Sequence, residues 1–230
     1  MRSCFTCHAI LIGLLNANRW FVINLGFCTM TITSVEELRK LYAAPLERAV
    51  RKQLSALDRH CLRFIELSPF LVMATSSSHS AMDASPRGGA PGFVKAVNES
   101  TLVIPDAPGN NRLDSLENIV TAGRIGLLFL IPGVDETLRV NGRAQLSVDK
   151  ADIERYADTR RTPTLVIKVQ VEEVYLHCAK ALMRSKLWAE ESKIARTALP
   201  SAGQMLSDHT GIKTPPETQE EMRRRYAPDL

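Results

Sequence analysis

Arg124-Ile-Gly-Leu-Leu-Phe-Leu-Ile131, then Pro132-Gly-Val-Asp-Glu136, then Thr137-Leu-Arg-Val-Asn-Gly-Arg-Ala-Gln-Leu-Ser-Val148, is the stretch that decides the fold. Its first part is a continuous apolar run, which reads as a buried strand. Pro132 and Gly133 punctuate that run, and Ile131–Glu136 carries the signal of a hairpin turn. From Glu136 to Val148 the residues alternate. Leu138, Val140, Gly142, Ala144, Leu146 and Val148 face one way, while Arg139, Asn141, Arg143 and Gln145 face the other. A period of two belongs to a strand with one buried face. Two strands joined by a short turn are antiparallel neighbours.

The same pattern extends outward. Phe70–Thr75 is another apolar run, and Thr101–Ile104 is short and β-branched. Ala81–Arg87 and Gly92–Val97 flank a Pro/Gly-rich bend, and Thr164–Leu176 alternates, with Leu165, Ile167, Val169, Val171 and Val174 nearly in phase. One short helix, Leu113–Val120, is inserted. About six strands joined mainly by hairpins make an antiparallel barrel rather than a doubly wound parallel sheet. Helices are expected over Val35–Tyr42, Pro45–Leu57 and Arg59–Leu67. In the second, Leu46, Val50, Leu54 and Leu57 share a face. Lys180–Leu230 reads as helical, broken at Pro200 and Pro215-Pro216. The fold class is therefore α+β, mainly antiparallel β, with flanking N- and C-terminal helices. The expected division is a helical segment over 30–68, a barrel over 69–188 and a helical extension over 189–230.

Residues 1–29 stand apart, apolar and almost uncharged, with three of the five cysteines. The apolar run Ala9–Leu15 is too short to span a membrane, which takes about 20 apolar residues. Cys4-Phe-Thr-Cys7-His8 matches the spacing of c-type haem attachment, but it precedes the apolar run instead of following an export signal. The orderly sequence begins after Met30, where Ser34-Val-Glu-Glu37 forms a capping box. Residues 1–29 are read as an upstream extension without a functional role, and Met30 as the natural start.

A charged fraction of 23% argues against disorder. A net charge of +4 suits an anionic ligand, while the positive charge is scattered apart from Arg223-Arg224-Arg225, so no long basic stripe points to nucleic acid. An odd number of cysteines without a small disulfide framework suits a reducing, cytoplasmic compartment. Neither a nucleic-acid nor a membrane partner is expected. The histidines assemble no hydrolytic triad, and no metal site is expected. Neither a G-x-G-x-x-G nor a P-loop occurs.

Three segments carry candidate chemistry. Ile104-Pro-Asp-Ala-Pro-Gly-Asn-Asn-Arg112 joins a strand to a helix. Gly109 and Asn110 tolerate left-handed backbone angles, the helix start adds partial positive charge, and Arg112 adds a full one. Asp114 and Glu117 oppose an anion there, and a plain turn with an Asn cap is the equal alternative. Asp83-Ala-Ser-Pro-Arg-Gly-Gly-Ala-Pro-Gly-Phe-Val-Lys95 is barred from a central strand by its Pro and Gly residues. It is either an ordinary edge loop or a backbone that a flat ligand approaches, with Arg87 and Lys95 meeting an anion. In His177–Trp188, the residues Lys180, Arg184 and Trp188 recur at four-residue steps. They make either a ligand-facing stripe or an amphipathic helix with a buried Trp.

Taken together, Ser85-Pro-Arg-Gly88, Ile104-Pro-Asp106, Pro108-Gly-Asn-Asn-Arg-Leu-Asp-Ser-Leu116, Leu138-Arg-Val-Asn-Gly-Arg-Ala144 and His177-Cys-Ala-Lys180 with Arg184-Ser185 and Trp188 resemble the pyridoxamine 5′-phosphate oxidase-like flavoproteins. More narrowly, they resemble a bacterial branch described only as FMN-dependent enzymes. The resemblance runs from about Thr31 through Trp188. It implies an FMN-binding split β-barrel and a homodimer with FMN at the subunit interface. By position it places Arg87 near the FMN phosphate and ribityl chain. Phe93, Val94 and Lys95 fall beside the flavin ring, and Asn110, Asn111 and Arg112 in the phosphate loop. Arg143 and the Arg184–Trp188 helix, with Ser185, fall where the second subunit contributes, and Lys180 is a further expected cofactor contact. Asn111 replaces a common basic residue, which shifts weight onto Arg112. The oxidase proper uses a C-terminal Arg-x-His, and no Arg-x-His occurs in this chain, so pyridoxamine phosphate is not the expected substrate. The expectation is an FMN-dependent oxidoreductase acting on an unidentified small molecule, with a reduced nicotinamide cofactor as a candidate reductant. The alternative is a non-catalytic flavin, haem or deazaflavin binding protein on the same barrel.

Overall fold

A computed structural model describes residues 31–107, 109–157, 159, 161–212 and 215–229. The expected extension over 1–29, with its Cys4–His8 motif, lies outside the described residues. The chain divides into two compact units, Met1–Leu46 and Glu47–Leu230. In the first, helix α1 (Val35–Arg39) starts where Ser34 Oγ accepts from the Glu37 N–H at 3.1 Å. Glu37 reaches back to the Thr33 N–H at 3.0 Å, one residue earlier than the capping box predicts. The helix stops at Arg39, short of Tyr42.

The second unit is built on one antiparallel sheet. Its strands are β1 (Phe70–Ser76), β2 (Met82–Gly88), β3 (Lys95–Asn98), β4 (Thr101–Pro105), β5 (Arg124–Leu130), β6 (Thr137–Ser147) and β7 (Val166–His177). Their order is β2-β1-β5-β6-β7-β4-β3. Four of its neighbour pairs join consecutive strands, while β1–β5 and β4–β7 are longer-range pairings. In the β5–β6 hairpin Gly133 has φ 85° and the Val134 N–H bonds to the Ile131 carbonyl. Pro86 stands on an edge strand, where its missing N–H leaves no gap in the ladder. The helices are α2 (Glu47–Arg51), α3 (Arg59–Leu67), α4 (Asp114–Ala122), α5 (Lys150–Ile153), α6 (Lys180–Ser185), α7 (Ala202–Thr210) and α8 (Gln219–Tyr226). The fold is α+β, a mainly antiparallel split barrel with flanking helices.

The main core fills the barrel, and Val103, Tyr156 and Val166 form a second, smaller cluster. Leu71 and Met73 of β1, Leu102 and Ile104 of β4, Leu127 and Phe129 of β5, Leu138 and Val140 of β6, and Ile167 and Val169 of β7 meet in the main core. Cys61 and Ile65 of α3 and Leu116 and Ile119 of α4 pack into the same cluster. Burial pushes the Cys61 thiol up to about 11.

Three expectations fail for local reasons. Pro45–Leu57 is not one helix. It ends at Arg51, and Leu54 forms two backbone hydrogen bonds with Val174 at 2.9 Å, so the chain is drawn into contact with β7. Strands β1 and β5 are not sealed on both faces. Their burial alternates, and Val72, Ala74, Gly126 and Leu128 are only half-buried. Trp188 does not continue the Lys180–Arg184 stripe. Lys186 takes a left-handed φ of 49°, the Leu187 N–H bonds back to the Leu182 carbonyl, and α6 is over.

Candidate functional site

The end of β4 and the start of α4 build one wall of a cleft. The Asp106 N–H donates to the Leu165 carbonyl at 3.1 Å, which carries the β4–β7 pairing one residue further. Asn110 Oδ1 accepts from the Arg112 N–H at 3.1 Å, an Asx turn. Left-handed backbone angles fall at Asn111 (φ 59°) and Leu113 (φ 60°). Asn tolerates this conformation, while for Leu it costs roughly 1–2 kcal/mol. Leu113 is also the N-cap of α4 and supplies no side-chain acceptor. The helix therefore opens with N–H groups that no cap side chain satisfies. Ser115 instead donates its hydroxyl to the carboxylate of Asp83 on β2. Arg112 grips Asp114 through Nε at 2.8 Å and Nη2 at 3.3 Å. The pair holds the Asp114 carboxyl below its usual range and raises Arg112.

The segment between β2 and β3 builds a second wall. Its backbone is laced to the end of α3: the Gly89 N–H donates to the Pro69 carbonyl and the Gly92 N–H to the Ser68 carbonyl. Gly92 has φ 75°, and a Cβ there would sit 3.2 Å from the Glu66 carbonyl oxygen. Arg87 precedes this bend. Its Nε is buried and has no hydrogen-bond partner among the described residues. Burial pushes the Asp106 carboxyl up, against the opposing pull of Arg87.

A third wall is the segment leading into β7. The buried Tyr156 donates its hydroxyl to the Val103 carbonyl at 2.7 Å and anchors the segment on β4. Arg161 then reaches Asp229 at 2.7 Å. The three walls line a cleft of about 1070 Å³, at the upper limit of the volumes that take a small molecule or cofactor.

Six of the expected residues line it: Arg87, Phe93, Lys95, Asn110, Asn111 and Arg112. Val94 turns its side chain into the core. Arg143 lies elsewhere on the sheet, where it shares Glu172 with Arg124 at 3.0 and 2.9 Å. Lys180, Arg184 and Ser185 sit on α6, with the Ser185 hydroxyl bonded to the Leu182 carbonyl. The Trp188 indole N–H donates to the Val134 carbonyl of the β5–β6 turn at 2.9 Å. None of these five residues lines the cleft. Sequence reasoning missed Tyr156, Arg161 and Asp229. Arg161-Thr-Pro before a strand reads as any loop, and nothing in the sequence ties residue 161 to residue 229. Among the described residues no group of His, Cys, Asp or Glu side chains is placed to hold a metal ion, and no helix is long and apolar enough to cross a membrane.

Arginine, lysine, an open helix start and a glycine-rich wall together suit an anionic ligand with a flat body. Comparison with known proteins adds a lineage. No curated protein matches the chain. Among solved structures it is similar to HupZ of Group A Streptococcus, at 14% identity over 52% of this chain and 98% of that one, with a TM-score of 0.44. It is also similar to an FAD binding protein from Mycobacterium smegmatis (14% identity, 54% and 97% covered, TM-score 0.39). A third is an FMN-binding protein from Syntrophomonas wolfei (11%, 62% and 96%, TM-score 0.40). The family model described as pyridoxamine 5′-phosphate oxidase matches residues 57–178, more than half of the sequence and the whole of the seven-stranded sheet. The chain belongs to the pyridoxamine 5′-phosphate oxidase family.

Proposed function

We propose that this protein is an FMN-dependent oxidoreductase acting on a small molecule, and that it works as a homodimer with the flavin between subunits. The observation that carries the reading is the buried, unpartnered Nε of Arg87 in a cleft of cofactor size. A buried N–H without an acceptor is costly, and a phosphate oxygen is the acceptor that family membership and local charge both suggest. Arg87, Arg112 and the uncapped first turn of α4 would hold the phosphate. Phe93 and the glycine-rich wall would flank the flat ring system. Lys95, also in the cleft, would favour negative charge on the bound group. Bound FMN supplies two-electron chemistry, while the protein binds it, orients it and controls access to it.

The outer face of β1 and β5 supports the dimer. Phe70, Val72 and Ala74 oppose Leu130, Leu128 and Gly126 across that pair, forming an apolar strip that this chain leaves partly open.

Purification tests the cofactor directly. The protein is expected to be yellow, and denaturation with chromatography should release FMN rather than FAD. Bleaching by a reduced nicotinamide cofactor, with turnover in air, would mark an enzyme and not a carrier. A colourless protein that takes up no flavin when FMN is added would overturn the proposal.

A further inference from the structure

The segment after α6 folds largely on itself. Arg196 bonds to Gln219 at 3.0 Å, and the Ser201 hydroxyl to the Glu217 carbonyl at 3.2 Å. Arg225 clasps Glu217 through two hydrogen bonds of 2.9 and 2.8 Å. A Cβ on Gly203 would collide with the Glu217 backbone, so α7 lies directly against the stretch leading into α8. These ties join α7 and α8 into a helical arm. Among the described residues, one hydrogen-bonded ion pair joins the arm and its end to the barrel: Arg161 Nη1 to Asp229 Oδ1, 2.7 Å. Pro228, Asp229 and Arg161 all line the cleft.

A carboxylate on arginine is the contact that an acidic ligand would make there. Asp229 therefore stands in for a ligand anion. It is tethered to the chain and so present at high local concentration, but the two side chains are 61% and 46% exposed, so the pair is weak enough to exchange. We infer that Arg161 is an anion subsite of the cleft, held in cis by Asp229. The carboxylate or phosphate of a small acidic ligand takes it over and releases the α7–α8 arm. The inference rests on the reading that the cleft binds a ligand, and it narrows that ligand to an acid.

Limited trypsin digestion of the full chain reads the arm, because Arg223, Arg224 and Arg225 lie in α8 just before Asp229. Cleavage there should be slow in the wild type and faster by about two- to fivefold in Asp229→Asn, the range that one exposed ion pair supports. Inorganic phosphate should accelerate the wild type beyond sodium chloride of equal ionic strength. Arg161→Gln should be fast from the outset and indifferent to phosphate. Adding FMN or riboflavin identifies the source of the anion. Acceleration by FMN alone assigns Arg161 to the cofactor phosphate, whereas slow cleavage with FMN and fast cleavage with free phosphate assigns it to a second, acidic ligand. Equal rates in wild type and Asp229→Asn, or a phosphate response that survives in Arg161→Gln, would overturn the inference. Failure of the flavin reading shows separately, as no change in flavin absorbance on mixing, and leaves the phosphate response readable.

Discussion

Arg87 and Arg112 bring the same charge to the same cleft in different states. Arg87 has a buried Nε that no described group satisfies. Arg112 has a side chain that is 72% exposed and already grips Asp114. A ligand phosphate restores a missing hydrogen bond at Arg87, whereas at Arg112 it must compete with a carboxylate. A charged hydrogen bond contributes about 1.5–3 kcal/mol, so Arg87→Ala should weaken FMN binding by roughly ten- to a hundredfold. Arg112→Ala should cost only about two- to fivefold, the scale of an exposed charge contact. Asp114→Asn should tighten binding, since it frees Arg112 and removes a negative charge. Quenching of flavin fluorescence measures all three. A larger loss from Arg112→Ala than from Arg87→Ala would refute this ordering. The two arginines could not be ranked from the sequence, because the difference between them is burial and pairing, which arise only when distant segments meet.

At the scale of elements, the instructive feature is the bulge between β6 and β7. Asn141 pairs with Glu173 and Gly142 with Val171, so Glu172 is an extra residue on β7. The bulge explains why Val171 and Val174 are both buried although three residues apart, the irregularity that left the sequence pattern only nearly in phase. It also turns Glu172 toward Arg124 and Arg143. Gly142 sits where a Cβ would run into the Gln170 carbonyl oxygen. Gly142→Ala should therefore lower stability by about 1–3 kcal/mol, the usual cost of overpacking, seen as a lower denaturation midpoint. An unchanged midpoint would mean that the bulge has room to relax. The strands themselves were legible because alternation and turn residues are local: β1, β4, β5 and β6 match their expected spans within about two residues, the ordinary uncertainty of strand ends. Pro45–Leu57 misled because its apolar spacing is helical, yet Leu54 gains backbone partners on Val174 more than a hundred residues away. The stripe ending at Trp188 misled because a left-handed Lys186 carries no sequence signature comparable to glycine.

At the scale of the molecule, the cleft contains half of the expected ligand residues, and the other half are scattered. Arg143 stands on the outer side of β6, and Lys180, Arg184 and Ser185 on α6, while no side-chain hydrogen bond links them to the cleft among the described residues. The strip over β1 and β5 gives a physical reason to expect a second copy. Its run Phe70–Thr75 reads as doubly buried in the sequence, yet one face stays half-open in the single chain. In the proposed homodimer a two-fold partner would cover this face with the same strip in return. If that partner also brings Arg184 to the flavin, each site draws Arg87 from one subunit and Arg184 from the other. Arg87→Ala and Arg184→Ala should then each weaken FMN binding alone. Mixed in equal amounts and allowed to exchange, half of the dimers become mixed, and each mixed dimer holds one site with both arginines intact. About a quarter of all sites should regain wild-type affinity, the proportion that two-fold symmetry dictates. Titration of the mixture with FMN counts those sites. If none are recovered although sedimentation shows a dimer, Arg184 serves the same subunit as Arg87 or no flavin at all, and the site must be completed within one chain.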